Sequence, residues 1–339
     1  MFKVVMSFKR CVWSRFILVV ISMFLFFGGS NHCGSTDWPL LKGDYLGQKP
    51  PGPIPEVFGP GIISHGFHEL RLTISPDGNE MFYVTSDKRW YYTIIRLKRD
   101  HGIWSEPEVA PFSGKYQDTS PSFSPDGKRL YFCSKRPVRD RTESREDFDI
   151  WYVEKSGRSW TEPVNLGHAI NDRRDVWDVS VSSHGSMYFE VNDTLYVSRF
   201  KDKTYSVPVR LNNGINTGHE SSPCIAPDES CLLFQSTRPG GYGGNDLYAS
   251  FKGDDGLWSE PINMGESVNS ASHDFGPRIS PDGAYIFFSS GRPLESSLFQ
   301  NKTYGELLKL YRHPQNGHGT LFWVDAGIIE VLKNRLDDK

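Results

Sequence analysis

The sequence predicts an all-β fold, a single β-propeller of five four-stranded blades. One phrase returns five times, as ISPDGNEMFYV from Ile74, FSPDGKRLYFC from Phe123, VSSHGSMYFEV from Val181, IAPDESCLLFQ from Ile225 and ISPDGAYIFFS from Ile279. The intervals of 49, 58, 44 and 54 residues are close to the length of one propeller blade. The 32 glycines and 22 prolines suit many short strands joined by tight turns.

The second repeat shows how one copy becomes one blade. Strand a ends at Phe123, and the turn 124–127 (Ser-Pro-Asp-Gly) reverses the chain because proline presets φ and glycine accepts the left-handed conformation. Strand b follows at 130–133, strand c at 149–153 and outer strand d at 160–166. Pro163 is tolerated in strand d because one side of an edge strand needs no hydrogen bonds.

The other copies follow the same order, with strand c at 93–97, 194–198 and 246–250 and strand d at 104–107, 205–208 and 258–261. The fifth copy has strands a and b, a long insertion over 293–319 and a strand at 321–329 that serves as c. It lacks strand d, and 55–61 resembles 162–167. We therefore expect an N-terminal strand to complete the last blade and close the ring. Six blades remain an alternative if the insertion hides a degenerate copy.

The N-terminus predicts an exported protein. Lys3, Lys9, Arg10 and Arg15 precede an apolar run over 16–27 and then small residues, which is typical of a signal peptide and short for a bilayer span. We therefore expect a signal peptide at 1–30, a linker at 31–54, the propeller at 55–332 and a tail at 333–339. Cys33 raises an alternative, a lipid anchor, although His32 fits a lipoprotein cleavage site poorly.

Charge and cysteine content narrow the partners. Loss of residues 1–30 removes four basic and no acidic residues, which changes the net charge from −3 to −7. An acidic protein argues against a nucleic-acid partner. Cys224 and Cys231 flank one hairpin and can pair in an oxidising compartment, but we favour plain strand packing for both and for Cys133.

The motifs SPDGKRLYF (124–132) and STRPGGYGGNDLYAS (236–250) resemble the Pro-Asp variant of the WD-type propeller repeat. That repeat occurs in TolB-like periplasmic proteins and in many exported bacterial proteins. The resemblance covers about 70–330 and implies a propeller. The members of this class act as interaction scaffolds, as non-catalytic domains beside enzymes and sometimes as glycan-cleaving enzymes. The matching residues belong to turns and strands, so the resemblance does not carry a function.

Strand parity places the candidate site. The a–b and c–d turns lie at one end of the ring, and the d–a and b–c loops lie at the other. Ten and nine residues before each turn glycine, or Glu229 in the fourth copy, the chain has His68, Glu69, Gln117, Asp118, Asp175, Val176, His219, Glu220, His273 and Asp274. Because strand a is innermost, we expect these residues to surround the mouth of the central channel.

Three interpretations of this ring stay open. In the first, which we favour, each residue orders its own loop. The second is a metal-free binding site, and the third is a divalent metal site that uses imidazole nitrogens. A mouth of His, Gln and Asp loosely resembles the manganese site of propeller-type pectate-oligomer lyases.

Arg136, Arg238 and Arg292 follow strand b in three blades and open onto the same face. They are suited to recognise carboxylates or phosphates. The alternative, which we favour, is an ion pair with an acid of strand c, such as Asp149 or Asp246.

Taken together, the sequence favours a non-enzymatic binding or scaffold module of the bacterial cell envelope, with its ligand at the channel mouth. The alternative is a glycan-active hydrolase or lyase in which His68, His219 and His273 hold a metal or act as acid and base. We expect a monomer that binds an envelope protein or a glycan, has no cofactor beyond that possible metal, and has no transmembrane span after signal removal.

Overall fold

The computed structural model describes residues 38–87, 89–138, 146–172, 175–202, 204–212 and 214–337. The chain divides after Pro39, and the part from Leu40 onward contains a β-propeller. The expected signal peptide, Cys33 and the last two residues lie outside the described residues. Cleavage and acylation therefore stay predictions.

Five sheets of antiparallel strands form the blades, and five strands a contact one another in a ring. Blade 1 has strands a to d at His68–Ile74, Glu80–Ser86, Tyr92–Asp100 and Glu108–Val109. Blade 2 has them at Asp118–Phe123, Arg129–Ser134, Asp149–Ser156 and Val164–Asn165. Blade 3 has them at Val176–Val181, Met187–Val191, Leu195–Ser198 and Val209–Arg210. Blade 4 has them at Glu220–Ile225, Cys231–Ser236, Asp246–Phe251 and Ile262–Asn263.

Blade 5 is built from both ends of the propeller. Its strands a, b and c are Asp274–Ile279, Tyr285–Ser290 and Thr320–Asp325, and its strand d is the N-terminal segment Glu56–Val57. Glu56 pairs with Trp323 and Val57 with Phe322. Phe58 follows, fully buried, with its ring 5.0 Å from that of Phe287. The predicted fold class, five blades closed by an N-terminal strand, is confirmed.

The a–b turns hold their shape through one hydrogen-bonded pattern. In blade 2, Ser124 Oγ donates to Asp126 Oδ1 at 2.7 Å, and the backbone N–H of Lys128 donates to the same oxygen at 3.0 Å. Gly127 has φ of 68°, a conformation that costs glycine nothing. The recurring Ser-Pro-Asp-Gly phrase is thus a turn device.

Two strand predictions are wrong in detail. The predicted strand 160–166 is divided into Ser159–Trp160 and Val164–Asn165, which pair with different parts of strand c, and Pro163, which has no N–H to donate, stands between them. The predicted strand 321–329 ends at Asp325, because the chain turns at Ala326 into a helix, Gly327–Asp337. This helix buries Leu332 between blades 4 and 5 and runs past the expected propeller end at 332.

The remaining elements are short. A two-stranded hairpin, Phe200–Lys201 and Thr204–Tyr205, extends blade 3, and Ile103–Trp104 pairs with the end of strand c in blade 1. The helix His168–Asn171 precedes blade 3. In the insertion of blade 5, a 3-10 turn, Ser296–Phe299, leads to the helix Tyr304–Tyr311, which Thr303 and Glu306 begin with a capping box. The described residues contain no helix of the length and apolarity that a bilayer crossing needs.

Part of the expected linker packs against the propeller. The 3-10 turn Asp44–Gly47 lies over the junction of blades 1 and 5, where Tyr45 Oη donates to Asp282 Oδ2 at 2.8 Å. Trp104 Nε1 donates to the carbonyl of Gly43 at 2.8 Å. Residues 41–48 therefore form a strap across the blades that close the ring.

The three cysteines among the described residues are free and buried. Cys224 faces Leu233 across its hairpin, so it is not opposite Cys231. Burial raises the pKa of the Cys133 thiol well above its usual value. The structure thus agrees with strand packing as the role of these side chains.

Candidate functional site

The predicted mouth residues lie at the starts of strands a, at the end of the ring that carries the d–a and b–c loops. Their acidic members point into the protein. Glu69, Asp118, Glu220 and Asp274 are all buried. The question is which of these carboxylates the fold satisfies internally.

The three histidines do not come together. The His68 ring packs against Trp90 and His318, with centroids 4.5 and 4.8 Å away. His219 Nδ1 lies 2.9 Å from Asp193 Oδ2, and the His273 ring lies against Gly244, where an added Cβ would come within 2.2 Å of it. Each imidazole thus contacts its own loop surroundings. Burial and the neighbouring His318 lower the pKa of His68.

Three blades share one buried pair of a carboxylate and an arginine. Arg136 Nη2 lies 2.7 Å from Asp118 Oδ1 in blade 2, and Arg292 Nη2 lies 2.8 Å from Asp274 Oδ1 in blade 5. In blade 4 the Arg238–Glu220 distance is 3.3 Å. Each carboxylate precedes its arginine by 18 residues. We call these the carboxylate–arginine pairs.

Each guanidinium has further partners that fix it in place. Its Nη2 donates to a backbone carbonyl of the preceding d–a loop, from Phe112, Ile215 or Val268. It also lies over aromatic rings of strands b and c, such as Phe132 and Trp151 for Arg136, at 4.8 and 5.4 Å. The sequence prediction named strand c acids as partners of these arginines, and this is wrong. The partner is the strand a acid, because the guanidinium reaches back over the aromatic pair toward the d–a loop.

Blade 1 departs from this pattern. Glu69 stands where Asp118 stands in blade 2, but Asp87, 18 residues later, replaces the arginine. Glu69 Oε1 accepts from the backbone N–H groups of His65 and Phe67, each at 3.3 Å. Glu69 Oε2 is buried without a hydrogen-bond partner among the described residues. Burial raises the pKa of Glu69 to about 7, against these backbone donors.

The other predicted residues have local roles. Asp175 Oδ1 accepts from the backbone N–H of Phe148 at 3.2 Å, and the backbone carbonyl of Gln117 accepts from Lys135 N–H at 3.0 Å. Val176, buried, takes the carboxylate position in blade 3. These contacts agree with the loop-ordering interpretation. Ligand binding by the ring stays a prediction.

The axis of the propeller carries a set of residues that the sequence analysis missed. At one bulge in each strand a, the chain adopts positive φ, and the five residues there are Arg71, Ser120, Asp178, Ser222 and Gly276. All lie seven residues before the turn glycine or Glu229. The same counting that located the mouth residues would have found them.

Arg71 and Asp178 join blades 1 and 3 at this level. Arg71 Nε donates to Asp178 Oδ1 at 2.8 Å and Nη2 donates to Oδ2 at 3.1 Å. Ser222 Oγ donates to Asp178 Oδ2 at 2.7 Å. Burial acts to raise the pKa of Asp178, but Arg71 outweighs it and holds this pKa at about 2.

A second buried acid lies close to this pair. Glu190 accepts from the backbone N–H of Asp193 at 3.1 Å. Burial, and then the charge of Asp178, raise the pKa of Glu190 well above its usual value. The Asp178 oxygens are occupied by Arg71 and Ser222, so the arrangement binds charge internally and leaves no free carboxylate pair for acid–base chemistry.

Aromatic side chains surround the mouth next to blade 1. The Trp90 ring lies 6.4 Å from Tyr92, which in turn lies 6.2 Å from Trp177 of blade 3. Phe67, Trp90 and Tyr91 are exposed by 66%, 51% and 39%. We call these three the aromatic patch.

In the part of the chain that the structure describes, no group of three or more His, Cys, Asp or Glu side chains is arranged to hold a metal ion. The three imidazoles proposed as ligands contact different loops, as described above. The divalent metal stays an untested prediction.

No protein-family model and no curated protein matches the chain. Among solved structures it is similar to a putative TolB from Agrobacterium tumefaciens, at 19% identity over 66% of this chain and 70% of that one, with a TM-score of 0.44. TolB from Acinetobacter baumannii is 15% identical over 77% of this chain, which spans 57% of that one, with a TM-score of 0.44. The catalytic domain of a Coprinopsis cinerea GH62 alpha-L-arabinofuranosidase is 14% identical over 81% and 97%, with a TM-score of 0.45. Likeness at this level does not assign a function.

Proposed function

We propose that this protein is an exported, non-catalytic binding module that docks a protein of the bacterial cell envelope onto the face with the d–a and b–c loops. The aromatic patch carries the proposal, because Phe67, Trp90 and Tyr91 expose large rings beside one another in sequence or across one blade edge. Aromatic residues are enriched at the energetic centres of protein interfaces. Export rests on the basic and apolar pattern of residues 1–30.

Charge favours a protein with a basic surface as the occupant. Blade 1 presents two acids at the mouth, Glu69 and Asp87, where the other paired blades present an acid and an arginine. A partner with a complementary positive patch is steered toward such a surface. The mouth also departs from the repeat at this one blade, which gives a defined place for docking.

The enzymatic alternative, a glycan-active hydrolase or lyase, depended on joint action of His68, His219 and His273. Their rings contact His318 and Trp90, Asp193 and Gly244, respectively. Because no observed contact favours chemistry at that ring, we propose binding and keep cleavage of a glycan as an outcome of the test.

The test places a photo-reactive amino acid at Trp90 and irradiates cells that produce the protein. We expect one discrete protein adduct. The matched control carries the same probe at Leu257, which is 62% exposed but lies in a c–d turn at the opposite end of the ring. The same adduct from both positions, or none from Trp90, contradicts the proposal, as does release of sugars from envelope glycans by the purified protein.

A further inference from the structure

We infer that blade 1 is a receptor for a cationic side chain, a guanidinium or ammonium group that the docking partner inserts against Glu69. The inference rests on the proposed function and names the chemistry of its partner. It depends on the comparison of blade 1 with blades 2, 4 and 5 of the same chain.

The first observation is the loss of the internal cation. In three blades a buried strand a acid is neutralised by the arginine 18 residues later. In blade 1 the acid is kept, as Glu69, and the arginine position carries Asp87, which reverses the charge. Asp87 makes its own ion pair with Arg89 at 2.7 Å on the exposed surface, so neither side chain neutralises Glu69.

The second observation is an oxygen left unpaired. Glu69 is 2% exposed, and its Oε2 has no hydrogen-bond partner among the described residues. In blade 2, by contrast, Asp118 Oδ1 accepts from both Arg136 and Ser134, and Oδ2 accepts from Ser113. A buried carboxylate oxygen without a donor is costly, and a ligand N–H would satisfy it.

His65 lies where the guanidinium lies in the other blades. Its Nδ1 is 2.9 Å from the carbonyl of Ile63. That carbonyl stands six residues before the acid, as do the Phe112 and Val268 carbonyls that accept from Arg136 and Arg292. The ring is 4.0 Å from Glu69 Oε1, which is too far for a hydrogen bond. An imidazole has two ring nitrogens against five guanidinium N–H donors, so His65 cannot satisfy the acid as arginine does.

The His65 side chain is half-exposed, and its rotation toward solvent opens the way to Glu69. Tyr83 lies near this acid and takes the place that Phe132 takes beneath Arg136, so an aromatic ring is present for the entering cation. Trp90 and Phe67 border the entrance as exposed rings. The partner's basic residue would thus enter between the aromatic patch and the acid.

The test measures binding of N-acetyl-arginine amide by saturation-transfer NMR, with N-acetyl-citrulline amide as the neutral isostere. We expect the arginine probe to bind and the citrulline probe to bind about tenfold more weakly or not at all. Glu69→Gln should remove the difference between the two probes. Asp87→Arg should also remove it, because the new arginine restores the internal pair, and should raise the melting temperature.

Equal binding of the two probes, or an unchanged preference for arginine in both variants, overturns the inference. The proposed function fails separately. If the cross-link at Trp90 appears but no cation preference exists, docking stands and the receptor for a basic residue falls. If the cation preference exists without any cross-link, the site stands and docking of an envelope protein falls. The melting temperature of Asp87→Arg shows that a loss of binding is not a loss of fold.

Discussion

Arg71 and Asp178 form a bidentate ion pair between blades 1 and 3, which are not neighbours in the ring. Both are buried, and both belong to strand a bulges with positive φ, at 53° and 40°. Backbone strain at two non-glycine residues persists where the surroundings hold it. The pair thus ties together innermost strands that share no hydrogen-bonded sheet.

Breaking this pair should strongly destabilise the propeller. Asp178→Asn leaves Arg71 buried without its counter-charge, and we expect a loss of about 3–5 kcal/mol in the free energy of unfolding. The measurement is urea denaturation followed by tryptophan fluorescence. The control is Asp178→Asn combined with Arg71→Met, which should recover part of the loss. A double variant no more stable than the single one would show that the pair is not what matters.

The same pair predicts an acid limit of stability. The pKa of Asp178 is about 2 in the folded protein, against about 4 in an unfolded chain. Its contribution is present above pH 4 and is lost as the pH falls from 4 to 2, by about 2 kcal/mol. Unfolding of the wild type between pH 4 and 2 should show this loss, and the Asp178→Asn variant should not.

Glu69 should act in the opposite direction. Its pKa is about 7 in the fold and about 4 in the unfolded chain, so protonated Glu69 favours folding, and this stability is lost as the pH rises toward and through 7. Glu69→Gln removes that loss, and we expect the variant to be more stable than the wild type at pH 8, by about 3 kcal/mol at most. At pH 4 the two should be alike.

The matched control for this prediction is Asp274→Asn. Asp274 is the partner of Arg292, so its neutralisation leaves a buried guanidinium unpaired and should lower stability at pH 8. Thermal melts at pH 4, 6 and 8 compare the two variants. A Glu69→Gln variant that loses stability at pH 8 as Asp274→Asn does would mean that Glu69 has a cationic partner after all.

The closing strand should contribute more to stability than its two paired residues suggest. Phe58, next to that strand, is fully buried against Phe287 and Trp323. Phe58→Ala should cost about 3–5 kcal/mol, since it leaves a cavity at the ring closure. Val109→Ala is the control, because Val109 also belongs to a strand d but is exposed. Equal melting temperatures of the two variants would contradict the role of this segment.

Removal of residues 40–64 should lower the melting temperature further, because it takes away the strap over blades 1 and 5 together with the last strand d. It exposes the outer edge of the Thr320–Asp325 strand, and open strand edges pair with other chains. We expect the shortened protein to aggregate on heating. Size-exclusion chromatography before and after heating measures this.

The N-terminus predicts that protein recovered from its source lacks residues 1 to about 30. Intact-mass measurement distinguishes cleavage near Ser30 from acylation at Cys33, which adds the mass of fatty acyl chains. A cytoplasmic product that keeps Met1 would contradict both.

The repeat by itself determined the propeller, because each turn phrase has one stable local form and each blade buries its faces only against neighbours. The number of blades and the use of 55–61 as the closing strand followed from the copies and from the missing strand d. Counting back from the turns also located Glu69, Asp118, Glu220 and Asp274 correctly at the starts of strands a.

Only the tertiary structure decided which of those acids have partners. Arg136, Arg238 and Arg292 were recognised in the sequence, yet their pairing with strand a depended on how far a guanidinium reaches over the blade. The Arg71–Asp178 pair joins residues 107 positions apart, and its geometry exists only once the ring closes. His68, His219 and His273 share a place in the repeat but contact different loops, because loop conformation depends on neighbours that the repeat does not contain.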